Sequence, residues 1–316
     1  MSWLGAGIDG PLVAIRAIHF AATAITTGTL IFRTVVVDAA PGSATPAAII
    51  VRSQTPVVAG ISLAISVTSG ILWLLLEAAP MSGLSFQESM KADVLLTIVN
   101  ETQFGLVSEI RLVLAAILAG CLAYDRFLPA RGLALGLSVG LIAAMAWTGH
   151  AGSTAGEMGI LHLTADTLHL LAAAIWMGGL VSLVLLLSVS RNDRTDAGVS
   201  FARNATQRFS TMGVATVAVI LATGIVNAWI LVGSWHALTA TFYGQLLMLK
   251  VALFGAMLMM AAANRFWLTP RLALPSGGEP QLKRLARNSM IEIALALVIF
   301  AIVGMLGTLH PAIHAS

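Results

Sequence analysis

Charged residues are scarce in this chain: Asp, Glu, Lys and Arg together make up 10% of 316 positions, against 58% hydrophobic residues and a mean hydropathy of +0.92. That balance excludes an ordinary soluble domain, which needs far more charge on its surface. Cysteine is nearly missing as well; Cys121 stands alone, which excludes an intrachain disulfide and a CxxC metal or redox pair. No Walker loop occurs, so nucleotide-driven transport is not expected. The N-terminus has no basic region ahead of its first apolar stretch, which begins directly after Gly10-Pro11, so no cleavable signal is expected.

What is present is a series of long apolar runs. Eight of them, near 11–35, 54–78, 104–125, 130–149, 160–189, 208–233, 244–264 and 288–309, reach the roughly 20 residues needed to cross a hydrocarbon core. Between the second and third runs, Phe86, Met90, Val94, Leu95 and Ile98 recur at helical spacing, which predicts one amphipathic helix near 85–102 lying on the outer surface. Residues Leu274 to Pro280, rich in Pro and Gly, read as a connector. The basic residues fall in alternate loops: Arg33 and Arg52; Arg126 and Arg131; Arg191, Arg194, Arg203 and Arg208; and Arg265, Arg271, Lys283, Arg284 and Arg287. The positive-inside rule puts these loops in the cytoplasm and both termini outside. The pI near 9.5 then reflects topology and anionic lipid, and nucleic acid is not an expected partner.

Shifted by about 150 residues, the chain matches itself at polar positions. His19-Phe20-Ala21-Ala22 returns as His169-Leu170-Leu171-Ala172, Gly28 as Gly178, Ser69-Gly70 as Thr223-Gly224, and Arg126-Phe127 as Arg265-Phe266. Gly105 followed by Arg111 returns as Gly244 followed by Lys250, and Met145, Thr148 and His150 return as Met305, Thr308 and His310. Apolar periodicity alone would not align histidines and cations in one order. The expected architecture is therefore all-α and integral to the membrane, with eight spans arranged as two parallel four-helix repeats, 1–150 and 151–316.

On that topology every histidine lies in the outer half: His150, His162, His236, His310 and His314 at or beyond the boundary, His19 and His169 within the membrane. Such asymmetry points to metal or proton chemistry facing outward. In the fifth span His162, Asp166, His169 and Trp176 share one helix face, and Asp166 is placed to support His169 as the carboxylate behind a metal-bound imidazole. Arg111 and Lys250, buried at equal depth, cannot ligate a metal while charged; they tune the local charge, with Glu109 a candidate partner for Arg111. Met145, Met305, Met257, Met260 and Cys121 supply soft sulfur atoms of the kind that selects Cu(I), although methionine also fills gaps in any helical core.

Gly149-His150-Ala151-Gly152, Asp166-Thr167-Leu168-His169 running on to Trp176-Met177-Gly178-Gly179-Leu180, Arg208-Phe209-Ser210, Tyr243-Gly244 with Lys250, and Asn264-Arg265-Phe266 with Pro270 resemble the copper resistance protein D family. The resemblance covers all eight spans and is densest from Gly149 to Pro270. It implies a bacterial inner-membrane protein that imports copper, as Cu(I) or Cu(II), alongside a periplasmic copper carrier. His150, His310, His162 and His236 would capture the metal and His19 and His169 would receive it. The chain's end departs from the family pattern, with fewer prolines before His314, which is left out of the ligand set. One four-helix half is also similar to small haem-binding membrane proteins of the protoporphyrinogen oxidase type. That alternative makes His19 and His169 axial ligands of haem b, with Arg111 and Lys250 at its propionates.

Overall fold

The computed structural model describes residues 9–40, 45–191, 195–271 and 278–314; most of the Leu274 to Pro280 connector lies outside them. Within the described residues all regular structure is helical. The helices are α1 (Gly10–Phe32, running into a π-helical turn, Arg33–Val37), α2 (Pro46–Ser82), α3 (Phe86–Ser89), α4 (Ala92–Glu101), α5 (Gln103–Ala123) and α6 (Leu128–Ala143, running into a 3-10 turn, Ala144–Thr148). They continue as α7 (His150–Ser153), α8 (Gly156–Ser190), α9 (Asp196–Val232), α10 (Trp235–Ala240), α11 (Phe242–Ala263, then a π-helical turn, Asn264–Leu268), α12 (Thr269–Arg271) and α13 (Gly278–Leu306). Eight of these, α1, α2, α5, α6, α8, α9, α11 and α13, are long and apolar enough to cross a membrane, as the apolar runs predict.

Their ends are written locally. Asp9 accepts a hydrogen bond from the Leu12 amide and Pro11 follows, so α1 starts there; Thr45 and Pro46 start α2 in the same way. Thr102 caps α5 and Thr241 caps α11, each accepting from the amide of the glycine three residues on, Gly105 and Gly244. Both glycines are needed for a close approach. A methyl on Gly105 would press against Val99 Cα, and one on Gly244 would lie 2.6 Å from the Ala237 carbonyl oxygen, so the short helices α4 and α10 sit directly on these helix starts. The second helices of the two halves, α2 and α9, both end on a left-handed glycine, Gly83 and Gly233.

Two expectations change. The segment near 85–102 is two helices rather than one: Ser85 and Glu88 close a capping box around the short α3, and Lys91 then leaves helical geometry to begin α4. The Ser85 hydrogen bonds also hold the Glu88 carboxyl below its ordinary range. Second, α2 and α9 each have 37 residues, about 55 Å at helical rise and well beyond a membrane core. Arg52, Arg203 and Arg208, like Lys283, Arg284 and Arg287 on α13, therefore ride on helices projecting past the bilayer rather than in loops.

At the centre, α1 and α8 pack on each other and on α6 and α13; α2 lies on α1 and α9 on α8. The crossing of α1 and α8 is at Gly28 and Gly178, where a methyl on Gly28 would lie 2.8 Å from Gly178 Cα. Backbones come this close only where side chains are absent. At the basic end Phe32, Val36, Leu186, Leu187, Phe201 and Leu285 join both halves in one apolar cluster. There Arg33 donates to both carboxylate oxygens of Asp125, at 2.7 and 2.8 Å, tying α1 to the loop after α5.

Candidate functional site

His19 sits on the face of α1 that meets α2, and it is 2% exposed. Its Nδ1 lies 2.9 Å from the Ser66 carbonyl oxygen, which can only accept, so Nδ1 carries the proton. Ser69 Oγ is 3.1 Å from the same nitrogen. Nε2 is then the acceptor, and it is engaged by Arg111 Nη2 from α5. Arg111 is 7% exposed, and its partner is thus the imidazole; Glu109, the acid considered from sequence, is exposed. The ring is also seated on Gly70, where a methyl would approach Cε1 to 3.0 Å, and its centroid is 5.5 Å from that of Trp73.

His169 on α8 is held in the same manner by the second helix of its own half. Its Nδ1 is 3.0 Å from Thr223 Oγ1. The Thr223 hydroxyl donates to the Val219 carbonyl at 2.6 Å, so it accepts from Nδ1–H and Nε2 keeps its lone pair. Gly224 takes the place of Gly70, with a methyl position 3.5 Å from Cε1. The third helix contributes Lys250, which lies within electrostatic reach of both His169 and Asp166. Among the described residues no hydrogen bond engages His169 Nε2, in contrast to the Arg111 contact at His19. Asp166, the expected support for His169, makes no hydrogen bond to it among the described residues. It accepts a hydrogen bond from Asn227 Nδ2 at 3.2 Å, while the tautomer of His169 is set by Thr223.

Farther out, His150 and His162 share Thr154: its hydroxyl is 2.8 Å from His162 Nδ1 and 3.1 Å from the His150 carbonyl oxygen. The His150 ring packs edge-on near Tyr243, 6.5 Å between centroids. His236 and His310 are exposed. Among the described residues no three His, Cys, Asp or Glu side chains converge into a metal cage. Of the sulfur atoms, Met145 and Met257 lie in the central cluster with Trp73 and Trp176. Cys121 belongs to a separate cluster with Leu63 and Leu118, and Met260 and Met305 are half-buried.

Sequence reasoning passed over two polar groups. Arg16, 6% exposed, stacks on Trp73 at 4.8 Å and lies 3.8 Å from Glu77, to which Trp73 Nε1 also donates. The signal was available: the shift of 150 that pairs His19 with His169 pairs Arg16 with Asp166, so matched positions carry opposite charges. Glu292, 2% exposed, accepts from Asn264 Nδ2 at 2.7 Å, and Asn288 Nδ2 donates to Asn264 Oδ1 at 2.9 Å. It is the one carboxylate in the run 288–309.

Comparison with known proteins follows the same lines. The family described as copper resistance protein D matches residues 203–306, and its N-terminal domain family, copper resistance protein D-like, matches residues 7–160. Copper resistance protein D of Pseudomonas syringae pv. tomato is 32% identical over 81% of this chain and 82% of its own length. Inner membrane protein YebZ of Escherichia coli is 31% identical over 67% of this chain and 71% of its own. Copper transport protein CutJ of Bacillus subtilis is 39% identical over 41% of this chain and 23% of its own. No solved structure matches.

Proposed function

The chain belongs to the copper resistance protein D family, and from that premise we propose that it imports copper across the bacterial inner membrane, with His169 as the intramembrane ligand. The observation that carries this reading is the Nε2 of His169, which no hydrogen bond engages among the described residues, on a neutral imidazole held in one tautomer by Thr223. Imidazole suits either oxidation state of copper. Lys250 beside it disfavours a bound cation, which suits a site that must release its cargo. His150 and His162, with the exposed His310 and His236, form the outer capture surface, where a periplasmic carrier would deliver the metal. Two or three ligands rather than a closed cage are what a transient site requires. Met145 and Met257 are the soft atoms of the central cluster, with Met260, Met305 and Cys121 as further candidates.

The matched settings of His19 and His169, and the contact of Gly28 with its own counterpart Gly178, support two parallel repeats about an axis along the membrane normal. The repeats then do different work. Arg111 occupies the lone pair of His19, so His19 joins the path only when that contact opens. The same contact disfavours the haem alternative in the first half: between Arg111, Trp73 and Gly70 the His19 ring has no open nitrogen facing a space for iron.

Two experiments bear on this. In proteoliposomes enclosing a copper-sensitive dye, the protein should admit copper added outside. A purified protein showing a Soret band and stoichiometric iron, with no copper flux, would overturn the reading. In a Cys121→Ser background, a cysteine at Ser82 should react with an impermeant reagent on intact cells and one at Arg203 only after permeabilisation. The reverse pattern would place the histidines on the cytoplasmic side and remove import.

A further inference from the structure

Glu292 lies about 21 Å from the Leu306 end of α13 at helical rise, well inside a hydrocarbon core of ~30 Å, and it is 2% exposed. An ionised carboxylate in such a place needs a counter-charge. Other ionisable groups turned into the bundle are met: Arg16 by Glu77, Arg111 by the His19 lone pair, and Asp166 by Lys250 within electrostatic reach. Glu292 has no ion pair among the described residues. Arg265 lines the same cavity, but its Nη1 donates to Ser210 at 2.7 Å. Along the helices packed on α13, α1 has no titratable side chain between His19 and Arg33, α8 none between His169 and Arg191, and α11 none between Lys250 and Arg265. Arg33 is bound to Asp125, and Arg271, Lys283, Arg284 and Arg287 are exposed.

What holds the carboxyl is neutral. Asn288 Nδ2 donates to Asn264 Oδ1 at 2.9 Å, which turns the Asn264 amide so that its Nδ2 donates to Glu292 Oε1 at 2.7 Å. Oε2 takes no hydrogen bond among the described residues and, unlike the buried Ser289 hydroxyl one turn away, keeps accessible surface. Glu292 lines a cavity of about 250 Å³ between α8, α9, α11 and α13, whose polar wall is Ser210, Asn264 and Arg265. A glutamine oxygen would accept from Asn264 equally well; what the acid adds is a proton that can leave. A metal ion fits poorly, since no three His, Cys, Asp or Glu side chains converge among the described residues and Ca²⁺ or Mg²⁺ takes roughly six oxygens. We propose that Glu292 is a proton-binding site of the transport cycle, neutral at rest, passing its proton between Oε2 and water at the polar wall of this cavity. On the topology proposed above, that exchange is with the cytoplasm. The coupling to copper rests on the import reading; the proton site itself does not.

The proton site is tested on the full chain in phosphatidylcholine nanodiscs without copper. Infrared spectra at neutral pH should show a protonated-carboxyl band that shifts in heavy water and is lost in Glu292→Gln, which keeps the bond from Asn264. Should that variant not fold, a hydrophobic carbodiimide, which adds to protonated carboxyls, should label Glu292 of the parent protein, with labelling that fades as the pH is raised. The coupling is tested in proteoliposomes carrying copper- and pH-sensitive dyes. Copper uptake by the parent should be accompanied by proton movement, and Glu292→Gln should lose both the proton signal and the pH dependence of the flux. An ionised Glu292 at neutral pH, unreactive to the carbodiimide, or an undiminished proton signal in Glu292→Gln would overturn the proposal. A parent that passes no copper would remove the import reading, and the infrared and labelling results would still decide the proton site.

Discussion

His169→Ala should fold normally and lose copper flux by about 100-fold or more, whereas His19→Ala should fail chiefly through instability. The flux estimate follows from ligand chemistry: loss of a hydrogen bond that merely supports a metal ligand costs 10–100-fold, and loss of the ligand itself should exceed that. Thr223→Val, which removes the Nδ1 partner of His169, should fall in the smaller range. At His19 the arithmetic differs. Arg111 is 7% exposed and donates to Nε2, so alanine leaves a buried cation with no acceptor, and stripping a buried charge of its partner costs about 3–5 kcal/mol. His19→Gln, whose carbonyl oxygen can accept from Arg111, should recover most of the stability. Flux and thermal midpoint measured on the same preparations separate the two effects. A folded His169→Ala protein with parental flux would sink the ligand assignment.

Gly28→Val should be the most damaging change in the interior. A methyl built on Gly28 overlaps the Ala174 carbonyl oxygen and lies 2.8 Å from Gly178 Cα, and the same addition at Gly178 lies 2.6 Å from Gly28 Cα. Both obstacles are main chain, which no side-chain rotation relieves, so α1 and α8 must separate along their length. Overpacking usually costs about 1–3 kcal/mol, and a backbone obstacle at the central crossing belongs at or above the top of that range. Gly136→Ala is the control: nothing lies within 4 Å of its methyl position, and alanine there should be neutral or stabilise the helix by at most about 1 kcal/mol. Melting of the detergent-solubilised proteins followed by size-exclusion chromatography checks this; indistinguishable profiles would show that the crossing is looser than these contacts imply.

The eight spans were legible because each is a local sum: enough apolar residues in a row and few charges within, with a capping Asp or Thr ahead of α1, α2, α5, α9 and α11. Their lengths were less so. Hydropathy marks where a helix leaves lipid but not where it stops being a helix, which is why α2 and α9 run on to 37 residues. The break at Lys91 was missed for the related reason that helical spacing tolerates a short interruption without losing its phase.

By itself the sequence determined the helical class, the number of spans, the family, the burial of His19 and the paired positions of the polar residues, since composition and spacing travel with the chain. What only the tertiary structure decided is which partner each of those residues meets. Arg111 is 92 positions from His19, and Thr223 is 54 from His169. Two histidines at matched positions in the sequence thereby became unlike, one nitrogen engaged by a guanidinium and the other without a hydrogen bond among the described residues. Their third-helix counterparts, Arg111 and Lys250, differ in shape and in how they reach across a helix packing, and reach across a packing is a property of the folded bundle.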